Sequence, residues 1–89
     1  MIERTLTITN EKGLHARASA KFAEVVERFD ASAEVARDGM QVPGDSIMGL
    51  LMLGAARGTT IDVTCDGPEA EALMAALTEL VEGLFGEGH

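Results

Sequence analysis

Apolar residues recur along this chain with two periods, and the switches between them predict an order of elements. In residues 2–9, Ile2, Leu6 and Ile8 fall on one face and Glu3, Thr5, Thr7 and Thr9 on the other. That alternation predicts a half-buried strand, interrupted on its apolar face by Arg4 near the chain end. A polar loop, Asn10-Glu11-Lys12-Gly13, follows, and then the period changes. Phe22, Val25, Val26 and Phe29 obey i, i+3, i+4, i+7 spacing, which predicts a helix starting near Ala16 with one buried stripe. Glu24 and Arg28 make an i,i+4 pair on its other side, and Asp30 falls just past the last turn. Ser32 to Arg37 and Met40 to Val42 flank Asp38-Gly39, a strong two-residue turn signal, and the resulting hairpin sets Val35 opposite Val42. Pro43-Gly44 ends the second strand of the hairpin, because proline has no N–H to give to a ladder.

Asp45 or Ser46 can cap a short second helix over Ile47 to Leu53, with Gly54 as its stop. In the last strand Ile61, Val63 and Cys65 alternate with Thr60, Asp62 and Thr64. Asp66-Gly67-Pro68 is a turn, with Pro68 suited to a first helical position. A third helix carries Ala70, Leu73, Met74, Leu77, Leu80, Val81 and Leu84 on one stripe, with Glu69, Glu71, Glu79 and Glu82 towards water. Gly83, Gly86 and Gly88 predict a fraying end before the terminal His89. The order is βαββαβα. Each strand has one apolar face and the two long helices one apolar stripe each. The expected class is α+β: a four-stranded, mainly antiparallel sheet with three helices on one face, residues 1–89 forming one domain.

Composition narrows the function. With 46% hydrophobic residues and clear periodicity, the 89-residue chain is expected to fold. No apolar run approaches the roughly 20 residues of a membrane helix. Met1 to Thr5 lacks the charged-then-apolar layout of a signal peptide, so a soluble cytoplasmic protein is the expectation. The lone Cys65 has no partner for an internal disulfide and reads as inert core. His15, Cys65 and His89 are too scattered for a metal site, so no metal or cofactor is expected. A net charge of −8, with no tyrosine or tryptophan, argues against nucleic acid. The charge is uneven: all seven basic residues precede position 58, and three of them, Lys12, Arg17 and Lys21, flank His15. A local cationic site on an acidic protein attracts an anion.

His15 carries the chemistry. It follows a glycine, opens the first helix and precedes Arg17 by two positions. A helix N-terminus offers unpaired N–H groups and the positive end of the helix dipole, where a phosphate is well held. A phosphoryl group taken up by the imidazole would face the amides of Ala16 and Arg17, and the guanidinium could add a charge-assisted contact. The second helix is informative for another reason. Leu50 and Leu53 share its core face, which leaves Ile47, Met48, Leu51 and Met52 partly exposed as a docking patch.

Gly13-Leu14-His15-Ala16-Arg17 resembles the active-site signature of HPr, the histidine phosphocarrier of the phosphoenolpyruvate-dependent phosphotransferase system. Ser46-Ile47-Met48-Gly49-Leu50 resembles that family's regulatory serine segment, and the resemblance spans essentially the whole chain. It implies an open-faced β-sandwich in which Nδ1 of His15 carries phosphate, assisted by Arg17. It implies Enzyme I as donor and an EIIA-type protein as acceptor, with Enzyme I meeting the second helix and the start of the first. It also implies Ser46 as a target of HPr kinase/phosphorylase. The neighbouring Asp45 complicates this in the present chain, because its carboxylate would oppose a second anion or partly imitate one. The pattern departs at Ala18, where the family usually has proline. That variant fits a nitrogen-related regulatory phosphorelay as well as sugar uptake. On this reading the protein is a monomeric carrier without turnover of its own. The rival expectation is a regulatory interaction module acting through Ser46 and the second helix.

Overall fold

The computed structural model describes residues 1–87, so the expectations for Gly88 and His89 lie outside the described residues. Strands β1 (Ile2–Thr7), β2 (Ser32–Arg37), β3 (Met40–Pro43) and β4 (Thr60–Asp66) form one sheet in the order β1-β4-β2-β3, with every pairing antiparallel. Helices α1 (Ala16–Glu27), α2 (Ile47–Met52) and α3 (Ala70–Glu82) supply the second layer. This is the open-faced α+β sandwich expected from the pattern. The inward residues Leu6, Val35, Ile61, Val63 and Cys65 meet Phe22, Val26, Leu73 and Leu77 from the helices in a single buried cluster. The other sheet face is polar, and its cross-strand neighbours hydrogen-bond: Thr5 Oγ1 donates to Asp62 Oδ1 at 2.7 Å, and Thr64 Oγ1 to Glu3 Oε2 at 3.3 Å. None of the described helices is long and apolar enough to cross a membrane.

The hairpin register pairs Val35 with Val42 as the turn signal requires, and Asp38 and Gly39 both take positive φ. Ser46, rather than Asp45, caps α2, its Oγ accepting the Gly49 N–H at 3.0 Å. Leu50 and Leu53 are buried, while Ile47, Met48, Leu51 and Met52 are exposed.

Several expectations need correction. β1 stops at Thr7, and Ile8 continues inward beyond it, its N–H bonded to Thr59 O. α1 ends at Glu27, so Phe29 belongs to the following turn and is only half-buried. Pro68 lies in the turn ahead of α3, whose first residue is Ala70. Asn10 sits in the nominally polar loop yet is fully buried. The largest correction concerns the chain end: residues 84–86 do not fray but form a 3-10 turn that drives Phe85 completely into the core. Leaving an aromatic ring in water would forfeit about 1.5–3 kcal/mol of burial.

Candidate functional site

Three segments meet around His15: the loop from Asn10 to Leu14, the connection after α2, and the C-terminal strap. Gly13 is the pivot, at φ +66°, a conformation that L side chains rarely take. A Cβ there would lie 2.4 Å from Ala55 O and 2.9 Å from Ala56 Cα. This close approach lets the Leu14 N–H donate to Ala55 O at 2.9 Å. The His15 N–H donates back to Gly13 O at 2.9 Å, which turns the chain into α1. Ser19 Oγ donates to Leu14 O at 3.2 Å and ties the loop to the first turn of the helix.

His15 is itself the N-cap of α1, with extended backbone at φ −77° and ψ −177°. Its carbonyl accepts the Ser19 N–H, and its Nδ1 accepts the Arg17 N–H at 3.3 Å. The imidazole thus occupies the place usually held by a serine or aspartate side chain. Because α1 begins at Ala16, its first amides and its dipole lie on the Nδ1 side of the ring. The His15 side chain is 23% exposed, so the ring is reachable. Ala16 and Arg17 are exposed, while Ala18 is fully buried.

Sequence reasoning missed the group on the opposite edge of the ring. Nε2 of His15 contacts Oε2 of Glu87. The other oxygen of that carboxylate, Oε1, accepts from Asn10 Nδ2 at 3.0 Å, and the same amide group donates to Gly13 O at 2.8 Å. Asn10 is the first cause holding the Glu87 carboxyl below the ordinary carboxylate range; burial opposes it, and His15 and Arg17 add to it. Asn10 Oδ1 has no hydrogen-bond partner among the described residues. A buried acceptor left unpaired costs about 1–3 kcal/mol, yet flipping the amide would set its oxygen against a carbonyl and a carboxylate. Of the basic residues expected around His15, Lys21 has its Nζ donating to Phe85 O at 2.6 Å and so secures the strap. One signal for all this stood in the sequence: Phe85 is one of only three phenylalanines in the chain.

Ser46 caps α2 and Ile47, Met48, Leu51 and Met52 lie on it; the helix packs beside α1 and leads into the Ala55 segment that holds Leu14. Cys65 is buried in β4, where desolvation raises its thiol pKa and keeps it protonated. Among the described residues no group of three His, Cys, Asp or Glu side chains is placed to hold a metal ion.

Fold and site together define a class: a small α+β protein that offers one imidazole at a helix N-terminus. Residues 2–83 match the family model described as the PTS HPr component phosphorylation site. The chain is 46% identical over 88 residues to phosphocarrier protein HPr of Neisseria meningitidis, covering 99% of both chains. It is 44% identical to that of Cupriavidus necator over the same length and coverage. Its fold overlays a crystal structure of HPr-C-His from Thermoanaerobacter tengcongensis with a TM-score of 0.93 at 37% identity, covering 98% of each. The chain belongs to the HPr family of phosphocarriers of the phosphotransferase system.

Proposed function

We propose that this protein carries phosphate on Nδ1 of His15, taking it from phospho-Enzyme I and passing it to an EIIA-type acceptor in the cytoplasm. The observation that carries this reading is the placement of Nδ1 against the first amides of α1, with Nε2 occupied by a carboxylate. On arrival the Nδ1 lone pair forms a bond to phosphorus while the donor's bond to phosphorus breaks. The incoming oxygens take over the Arg17 N–H and meet the amide of Ala16, and the exposed Arg17 guanidinium adds charge. Transfer needs in-line approach and electrostatic support, which the partners can complete, so the protein is acceptor and donor in turn rather than an enzyme. It works as a monomer without a cofactor.

Ile47, Met48, Leu51 and Met52 form the docking patch, and their exposure on the element beside α1 favours that role. Ser46 supports a second, compatible reading as a regulatory site for HPr kinase/phosphorylase. Its hydroxyl is half-buried at the cap of α2, beside that patch, so an added phosphate would place charge at the docking surface. Acceptors of either a sugar or a nitrogen-related branch fit this site.

Incubation with phosphoenolpyruvate and Enzyme I tests the reading. The expected product is an acid-labile adduct of one phosphate on the wild-type chain and none on His15→Ala. An acid-stable adduct, or equal labelling of His15→Ala, overturns it. Absence of any label on Ser46 by mass spectrometry, after incubation with the kinase and ATP, would remove the regulatory reading alone.

A further inference from the structure

We propose that Glu87 is a positioning residue for phosphoryl transfer: its carboxylate holds the proton of His15 on Nε2 and so keeps Nδ1 as the reacting atom. This rests on the carrier reading above and deepens it. An ionised carboxylate only accepts hydrogen bonds, so the ring nitrogen it touches must donate. The opposite nitrogen accepts the Arg17 N–H. Both edges of the ring therefore select the same tautomer, with the proton on Nε2 and the lone pair on Nδ1.

The carboxylate does not reach the ring by accident of a loose tail. Phe85 is buried, its carbonyl accepts from Lys21, and Asn10 grips the second carboxylate oxygen. Among the described residues, Asn10 leaves its own Oδ1 unpartnered to do so. Its amide joins Gly13, on which the His15 loop turns, to Glu87, so ring and carboxylate are referenced to one buried side chain. Arg17 is the other charged group acting on the carboxylate, and Lys21 faces the strap backbone.

The chemistry balances without moving a proton. When the Nδ1 lone pair bonds to phosphorus and the donor's bond breaks, the Nε2 proton stays in place and the ring becomes a phosphoimidazolium. Glu87 neutralises that positive charge. When the phosphoryl group leaves, the electron pair of the N–P bond returns to Nδ1 and the ring is neutral again. A carboxylate that orients and charge-balances an imidazole in this way plays the part of the aspartate in a Ser-His-Asp triad.

The test uses Glu87→Gln in the full chain, with Glu87→Ala as a second variant. The first readout needs no phosphate: the wild-type ring should show a slowly exchanging Nε2–H proton resonance by NMR, lost in both variants. The second is phosphoryl uptake from Enzyme I, where Glu87→Gln should lower kcat about tenfold, the difference between charge-assisted and neutral hydrogen bonds, with KM little moved. Hydrolysis of the phosphorylated chain adds a pH profile, whose acid limb should move to lower pH in the variants. An unchanged resonance with unchanged kcat and profile overturns the assignment. A wild-type chain that shows the resonance but takes no phosphate overturns the carrier reading instead, while its loss in Glu87→Gln still establishes the ring–carboxylate bond.

Discussion

At the scale of single residues, the site depends on a glycine as much as on the histidine. Gly13 fixes the angle at which the chain enters α1, and it combines a left-handed backbone with backbone packing at 2.4 Å from where a Cβ would stand. Alanine there costs about 1–2 kcal/mol for the left-handed conformation alone, before the clash is counted. The Ala55 carbonyl cannot yield by a rotamer change, since it is backbone that also accepts the Leu14 N–H. Gly13→Ala is therefore expected to lower the urea midpoint by more than that cost implies and to displace the His15 ring. Denaturation curves with NMR shifts of His15 check both, and a variant of wild-type stability would refute the argument. Asn10 is the opposite case: a polar residue whose burial, with an oxygen unpaired among the described residues, makes sense only through what its amide holds.

At the scale of elements, β2–β3 and α1 were legible because their signals are local: a turn dipeptide, a 3.6-residue period and a glycine before the helix. The strap of residues 84–87 was not, because its glycines argue for fraying and its partners lie far back in the chain, at Lys21, His15 and Asn10. Nothing local to Glu87 distinguishes it from the other acids of the C-terminal third. The strap is also marginal by construction. Leu84 and Phe85 both take positive φ, at 59° and 54°, costing about 1–2 kcal/mol each. Burial of Phe85 returns a sum of similar size, about 1.5–3 kcal/mol. The strap should therefore open locally well below the free energy of global unfolding. The amides of Gly86 and Glu87, which donate to Gly83 and Leu84, should exchange with solvent far faster than those of β4. Phe85→Ala should release the strap and, because the two terms nearly cancel, cost clearly less than the about 3–5 kcal/mol of an ordinary core Phe→Ala truncation. Exchange at β4-like rates in the wild-type strap would show that the two terms do not nearly cancel.

At the scale of the whole molecule, a net charge of −8 makes each further carboxylate a source of self-repulsion unless local partners offset it. This sets two expectations for Glu87→Gln against each other. If the Glu87 carboxylate only added to the overall field, removing it would stabilise the protein at neutral pH. Its immediate neighbours argue otherwise: Asn10 first, then His15 and Arg17, hold its carboxyl below the ordinary carboxylate range despite burial. A carboxyl whose folded value is depressed binds its proton more readily in the unfolded chain. It thus contributes stability that is present above its unfolded value and lost as pH falls through the folded one. Glu87→Gln should accordingly be less stable than wild type at pH 7. The gap should shrink at an acid pH below the depressed folded value, where both chains carry a neutral group at that position. Urea midpoints for the two chains at both pH values decide the matter, since the general repulsion changes almost equally in both and cancels in the difference. A gap of the same size at low pH would mean that the carboxylate's charge is not what binds the strap to the histidine loop.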